Sequence, residues 1–165
     1  MTKLTHLDAN NEANMVDVSD KSDSTRIAVA EGYIYLSEQA LEQVVQANNK
    51  KGDVLTIAKV AGIQAAKQTS QLIPLCHPLA LTKVDVQLQI QPSHGRIRVE
   101  AMCKLVGKTG VEMEALTAVQ VTTLTLFDMC KAVDPAMRIE GIKVLSKQGG
   151  KTGDWRHPEA ESLDD

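Results

Sequence analysis

Aromatic side chains are almost absent from this chain, whose 165 residues include one Trp, two Tyr and one Phe. The core must therefore be aliphatic. Proteins bind single-stranded nucleic acids on aromatic stacking platforms, so this scarcity argues against that class of ligand. The formal net charge of −3 gives no overall attraction to a phosphate backbone. Any anion site must then be a local cluster of cations.

Cysteine is scarce as well. The chain has an odd number, three, and no CxxC pair: Cys76, Cys103 and Cys130. This usage fits a reducing compartment better than a disulfide framework. The N-terminus lacks the apolar stretch of a secretory signal. The longest mainly apolar stretch, 115–130, is interrupted by polar residues and predicts a buried helix, not a membrane span. We expect a cytoplasmic protein that binds neither membranes nor nucleic acids.

The hydrophobic content of 43% is enough for a packed core, and the length favours one domain over 1–165. The polar ends, 1–14 and 155–165, are predicted to be flexible tails. Alternating apolar residues predict strands, and helical periodicity predicts helices. The strands are expected at 26–36, 81–90, 96–106 and 138–145, and the helices at 37–47, 54–67 and 111–133. This order favours an α+β fold, a ferredoxin-like antiparallel sheet packed on one face by helices, with an extra helix.

Two Gly-Lys-Thr segments, 107–109 and 150–152, resemble the end of a phosphate-binding P-loop. The complete motif needs a glycine five residues earlier, where this chain has Met102 and Leu145. P-loop chemistry is therefore not expected. Gly62 lies inside the second predicted helix, where glycine costs about 1 kcal/mol relative to alanine, and we interpret it as a point of close packing against another backbone.

Metal ligands are not evident in the sequence, because none of the four histidines is spaced from another as ligands are. No metal site is assigned and no cofactor is required. Mg²⁺ bound to substrate phosphates stays open, since such sites need few protein ligands. Cys76 is interpreted as a small buried hydrophobe in preference to a nucleophile. His77 lies between Pro74 and Pro78, and this rigid placement favours a functional role.

Acidic residues mark both ends of the long predicted helix. Glu112 and Glu114 in its first turn have a simple alternative role, which is to complement the helix dipole. Lying two residues apart, they point about 200° from one another, so we do not expect both to line one small pocket. Asp128 and Lys131 share a face near the other end, where apolar neighbours predict burial and shifted pKa values in place of a surface ion pair.

The two ends are too far apart for one compact pocket. Glu112 and Asp128 are 16 residues apart in sequence, about 24 Å along a helix. If both ends serve active sites, those sites are assembled between subunits. Three further lysines in or beside turns and loops are candidates for binding a polyphosphate: Lys51, Lys67 and Lys147.

Several long motifs together identify a family resemblance: MVDVS, KGDV, AGIQAAK, LIPLCHPL, GKTGVEMEALTA, LFDMCKAV and KQGGKTG. Over about residues 4–154 the chain closely resembles the molybdenum cofactor biosynthesis protein C family, the cyclic pyranopterin monophosphate synthases. The resemblance implies a ferredoxin-like fold and a homohexamer built as a trimer of dimers, with active sites between subunits. It also implies conversion of 3′,8-cyclo-7,8-dihydroguanosine triphosphate, the product of a radical S-adenosylmethionine enzyme, to cyclic pyranopterin monophosphate with release of diphosphate.

The resemblance also assigns site residues. Asp128 matches the catalytic aspartate, and Lys131 matches its partner lysine. Substrate-binding residues are implied at Leu75, Cys76, His77, Met113 and Glu114, with Glu112 beside them and with the basic Lys51, Lys67 and Lys147. The chain has Phe127 where Tyr is frequent and Thr152 where Ser is frequent, and neither change affects a charged group. Two other hypotheses remain: a binding module without chemistry, which would not need Asp128 with Lys131, and a scaffold for a partner enzyme.

Overall fold

The computed structural model describes residues 4–47, 54–151 and 153–160, which form a five-stranded antiparallel sheet and four α-helices. The strands are β1 (Ser24–Tyr35), β2 (Lys83–Gln91), β3 (Arg96–Gly107), β4 (Arg138–Gln148) and β5 (Trp155–Arg156). The helices are α1 (Glu38–Ala47), α2 (Val54–Lys67), α3 (Thr69–Leu72) and α4 (Glu112–Cys130).

The sheet has the order β2-β3-β1-β4-β5. With helices between β1 and β2 and between β3 and β4, this is the ferredoxin-like βαββαβ arrangement, and the prediction of the fold class is confirmed. The short helix α3 and the strand β5 are not predicted by periodicity. β5 lies in the stretch predicted as the C-terminal tail, and it pairs Trp155 with Lys147 of β4.

Alternation along the central strands separates the two faces of the sheet. In β3, Ile97, Val99 and Ala101 are fully buried beneath the helices, as an aliphatic core requires. The opposite face carries charge: Arg98 contacts Glu31 of β1 at 2.8 Å. Glu31 is buried and lies 3.6 Å from Lys143 of β4. The charged ladder therefore ties the three inner strands together on the face without helices.

The helix α4 is held against the sheet partly by α2. A Cβ atom at Gly62 would collide with the Thr122 hydroxyl and would lie 2.9 Å from the Ala118 carbonyl oxygen. The close approach of the two helices therefore requires glycine at this position, and the prediction for Gly62 is confirmed. This contact fixes the middle of the helix whose ends carry the candidate site residues.

Candidate active site

A cleft of about 480 Å³ opens where the N-terminal end of α4 meets the loop before β2 and the end of β4. It brings together seven of the residues proposed from sequence: Leu75, Cys76, His77, Glu112, Met113, Glu114 and Lys147. The two motifs LCH and EME are thus neighbours in space, although more than thirty residues separate them in sequence. A small molecule in this cleft would contact carboxylates, an imidazole and an ammonium group.

Glu112 and Glu114 both line the cleft, so the expectation that they could not share one pocket is wrong. The cleft lies at the end of α4 and not along its side. Side chains that leave the first turn in different directions can therefore enclose it.

The Glu112 carboxylate is held by a cation from another element. Its Oε1 lies 3.3 Å from Nζ of Lys147 on β4, and both side chains are about one-third exposed. The Glu112 side chain also folds back over Gly110, and a Cβ atom at Gly110 would collide with the Glu112 carboxylate. The glycine before α4 therefore leaves room for this conformation.

Glu114 has a different environment, because its side chain is only 3% exposed and forms no ion pair with any described residue. Burial raises the pKa of Glu114 to about 7, and the neighbouring Glu112 charge acts in the same direction. A carboxyl group poised near neutral pH can both accept and donate a proton. A hydrogen bond from its own backbone N–H in the first turn of α4 acts in the opposite direction on the pKa, so an interaction with the helix N-terminus is also present.

His77 is fixed by the N-terminal segment. Its Nε2 lies 2.8 Å from the carbonyl oxygen of Val16. Since a carbonyl only accepts, Nε2 carries a proton and donates it to Val16. The segment 15–19, which carries one of the family motifs, therefore helps to orient an imidazole that lines the cleft.

The thiol of Cys76 is not prepared for nucleophilic attack. Burial raises the pKa of Cys76, and the nearby Glu114 raises it further. A reactive cysteine needs the opposite shift, because the thiolate is the nucleophile. Cys76 is only partly buried in the cleft wall, so the prediction that it is a small buried hydrophobe is wrong in its burial, whereas the preference against a nucleophile is supported.

Asp128 and Lys131 do not lie in this cleft but at the other end of α4. They form an ion pair, with Lys131 Nζ donating to Asp128 Oδ1 at 2.7 Å. The prediction that they are buried is wrong for the single chain, since their side chains are 72% and 59% exposed. Nearby Leu124 and Met129 are themselves 59% and 38% exposed, so the apolar residues there do not cover the pair.

The other two predicted lysines do not contribute to the cleft as described. Lys67 is the exposed last residue of α2 and is not among the residues that line it. Lys51 lies outside the described residues, as does Thr152. Periodicity alone missed several residues at the margin of the cleft, including Val16, Lys21 and Thr109. Val16 and Thr109 lie in motifs that carry the family resemblance, which was the available signal.

Residues 4–47, 54–151 and 153–160 contain no group of three or more His, Cys, Asp or Glu side chains placed to hold a metal ion. Within that part of the chain, no helix has both the length and the apolar character needed to cross a bilayer.

An α+β chain with a small cleft lined by carboxylates, an imidazole and a lysine has the features of a small-molecule site. A comparison with protein families identifies the family of the chain. The model of the MoaC family matches residues 15–150, which is most of the chain, and the protein belongs to this family. It therefore has a role in molybdenum cofactor biosynthesis.

Proposed function

We propose that this protein is a cyclic pyranopterin monophosphate synthase. It converts 3′,8-cyclo-7,8-dihydroguanosine triphosphate, supplied by a radical S-adenosylmethionine enzyme, to cyclic pyranopterin monophosphate and diphosphate, as a phosphorus–oxygen lyase of the cytoplasm. The observation that carries the proposal is the convergence of residues 75–77, residues 112–114 and Lys147 in one cleft. These are the segments that the family resemblance associates with substrate binding.

The groups in the cleft suit the proposed chemistry. Opening and rebuilding the purine-derived ring requires proton transfers, for which a carboxyl group with a pKa of about 7 and the imidazole of His77 are suitable carriers. Forming the cyclic phosphate requires attack by a sugar hydroxyl on the α-phosphorus while diphosphate leaves. Cations stabilise the negative charge that develops on the leaving group. We propose no protein-bound cofactor for these steps, and any Mg²⁺ would bind to the substrate phosphates.

The catalytic pair is proposed to come from a second copy of the chain. Within one copy, 16 residues of continuous α4 separate Glu112 from Asp128, about 24 Å. The exposed pair would meet a substrate in the cleft only across an interface. In this arrangement Asp128 and Lys131 exchange protons with the substrate while the cleft residues bind it.

An uncovered apolar surface next to α4 supports such an interface. Leu72 and Leu124 are 57% and 59% exposed and border a depression of about 300 Å³ between α3, α4 and β4. Ile139 and Ile142 of β4 complete its apolar wall. A second copy of the chain is proposed to cover this surface, in a homohexamer built as a trimer of dimers. A stable and fully active monomer in solution would contradict this assembly.

Turnover of the purified protein with the cyclised dihydroguanosine triphosphate tests the function. Diphosphate release and pterin formation are followed for the parent protein and for Asp128→Ala. Activity in the parent and its loss in the variant would support the synthase assignment and the role of the exposed pair. Tight binding without turnover in the parent would instead favour a binding module.

A further inference from the structure

The turn that follows α4 is tied to a distant part of the chain by one carboxylate. Asp134 accepts a hydrogen bond at Oδ2 from the backbone N–H of Ser37, at 2.7 Å, and another at Oδ1 from the N–H of Ala136, at 3.0 Å. The second contact lies within the turn itself. The first joins residues 97 positions apart in sequence, because Ser37 lies between β1 and α1. Asp134 therefore connects the end of one helix to the start of another.

The charge of Asp134 suits the start of α1 and not the end of α4. A helix carries a partial positive charge at its N-terminus and a partial negative charge at its C-terminus, so a carboxylate just beyond α4 is unfavourable for that helix. At α1 the Ser37 Oγ accepts a hydrogen bond from the Ala40 N–H at 3.3 Å, and Asp134 supplies a further acceptor to the same helix end. The hydrogen bond from the Ser37 N–H is the main cause that lowers the pKa of Asp134, so the carboxylate is ionised at neutral pH.

Lys131 lies in the short stretch of chain between two fixed points. On one side, Cys130 is buried in the core, and its carbonyl accepts hydrogen bonds from the N–H groups of Val133 and Asp134 at 2.9 and 3.1 Å. On the other side, the Asp134 carboxylate is bound to Ser37. Helix ends otherwise fray, because their last residues have few tertiary contacts. The two anchors therefore restrict the backbone that carries the Lys131 side chain.

We propose that Asp134 is a positioning residue for the Asp128–Lys131 pair. Among the described residues, no hydrogen bond or ion pair joins Asp134 to either member of the pair, so it acts through the backbone of the turn. By tying this turn to the start of α1, it keeps the exposed pair in one place when a substrate held by another copy of the chain meets it. The assignment rests on the proposed synthase function and extends it to a residue that does not touch the substrate.

The separation of kcat from KM tests the proposal in turnover assays with the cyclised triphosphate. Asp134→Ala is expected to lower kcat by about 10–10²-fold, because a displacement of about 1 Å in a reacting group can have an effect of this size. KM is expected to stay within about twofold of the parent value, since the cleft that binds the substrate lies at the opposite end of α4. A raised KM with unchanged kcat would overturn the assignment.

Ser37→Ala is the matched control for a merely structural role. It removes the hydroxyl that caps α1 but keeps the N–H that makes the principal contact with Asp134. It is expected to lower Tm through the lost cap and to leave kcat within about twofold of the parent value. Asp134→Asn retains one carbonyl acceptor of the two, so its kcat is expected between those of the parent and Asp134→Ala. Equal losses of kcat in Ser37→Ala and Asp134→Ala would show that activity follows the stability of α1 and would overturn the assignment.

Mixed assemblies locate the defect of Asp134→Ala within the shared site. With His77→Ala, this variant is expected to regain turnover, because its intact cleft can meet the intact pair of the other chain. With Asp128→Ala it is expected to stay inactive, because neither chain then supplies an intact and correctly held pair. The reverse pattern would place the defect in the cleft and would overturn the assignment.

Amide hydrogen exchange of the full-length protein tests the anchor without turnover. Asp134→Ala is expected to speed exchange several-fold at Lys131 and Val133, whose N–H groups bond to the Phe127 and Cys130 carbonyls. Ala115, whose N–H bonds to Val111 at the other end of α4, is the internal control and should exchange as in the parent. Unchanged exchange at Lys131 and Val133 would show that the turn is held without Asp134 and would overturn the proposal.

The role of Asp134 and the proposed function fail in different ways. Turnover by the parent protein, with kcat unchanged in Asp134→Ala, would remove Asp134 from the reaction while leaving the synthase function intact. Faster exchange at Lys131 in Asp134→Ala, with no turnover by the parent, would refute the synthase and would reduce Asp134 to an anchor of the helix end.

Discussion

The two ends of α4 carry acidic residues of similar appearance in the sequence, yet they differ in almost every physical respect. At the N-terminal end, Glu114 is buried and Glu112 is paired with Lys147 on a different element. At the C-terminal end, Asp128 is 72% exposed, and among the described residues its carboxylate pairs with Lys131 alone, three residues further along the chain. Residues of other elements therefore hold the side chains at the N-terminal end in place, whereas the ion pair at the C-terminal end forms between residues three positions apart.

This difference shows which part of the site a single chain can complete. An exposed ion pair at i and i+3 contributes little stability, and solvent screens its charges. Excluding water around such a pair strengthens its electrostatic interactions and prevents side reactions. The exposed Leu124 beside it is consistent with a surface that a second copy covers. The contrast between the ends is thus the structural basis of the proposed shared site.

The largest expected effect is at the exposed end. Asp128→Ala and Lys131→Ala should each lower kcat by on the order of 10²–10⁴-fold, the range for loss of an acid/base group. The free energy of unfolding of the dissociated chain should change by less than about 0.5 kcal/mol, because the pair is exposed in one chain and joins neighbouring residues at the end of one helix. Turnover assays with chemical denaturation measure both. Glu140→Ala, which breaks the comparably exposed pair with Arg138, is the control and should keep full activity.

Substitutions at the contact between α2 and the middle of α4 test whether the positions of both helix ends depend on that contact. Gly62→Ala should destabilise the protein by about 1–3 kcal/mol, because the new methyl group meets Thr122 and the Ala118 carbonyl. Thr122→Ala removes the first obstacle, so the double variant should recover part of the loss. Urea denaturation of the single and double variants gives the coupling. Equal stability of Gly62→Ala and the parent would show that the helices can separate freely.

At the buried end, stability should depend on pH through Glu114. Its pKa of about 7 lies above the ordinary value of 4.5, so the native state retains a proton that the unfolded state releases between these limits. The contribution of Glu114 to stability is fully present below pH 4.5 and is lost as pH rises through 7. Glu114→Gln has no such proton. Its stability relative to the parent should therefore rise from pH 5 to pH 8 by on the order of 2–3 kcal/mol.

Denaturation midpoints of Glu114→Gln and the parent across this pH range check the prediction. A constant difference between the two proteins would mean that Glu114 is ionised throughout. In that case its burial in the cleft would not distinguish it from the exposed acids at the other end of the helix.

The smallest expected effect concerns the pair between Glu112 and Lys147. Since both side chains are about one-third exposed, a double-mutant cycle with Glu112→Gln and Lys147→Met should give a coupling energy of about 0.2–1 kcal/mol. The two substitutions should nevertheless raise KM for the substrate, because both residues line the cleft. A coupling well above this range would indicate that the pair is a structural element of the fold.

Much of the fold follows from sequence periodicity. The alternation at Ile97 and Val99 predicts β3, and the long helix predicted for 111–133 is found at Glu112–Cys130, ending five residues before Pro135. The four-residue helix α3 and the two-residue strand β5 were missed because elements of this length show no periodicity. The helix α3 contacts α4, which is distant in sequence, and β5 forms by pairing with β4 across the loop that separates them.

The site was only partly predictable for a related reason. Residues 75–77 and 112–114 can be chosen from sequence, but their meeting in one cleft depends on the strand order. Glu112 and Glu114 share the cleft because it opens at the end of α4, and this position cannot be read from the sequence. The burial expected for Asp128 was wrong because the apolar residues around it face outward in one chain.

The most direct test of the shared site is complementation between two inactive variants. His77→Ala removes a residue of the cleft, and Asp128→Ala removes the exposed aspartate at the other end of α4. If each site combines the cleft of one copy with Asp128 of another, co-expression and random assembly should restore about a quarter of the sites. Turnover near that level, with each variant inactive alone, is the predicted result. Continued inactivity of co-assembled variants, verified to exchange subunits, would show that each site lies within one chain and would contradict the account.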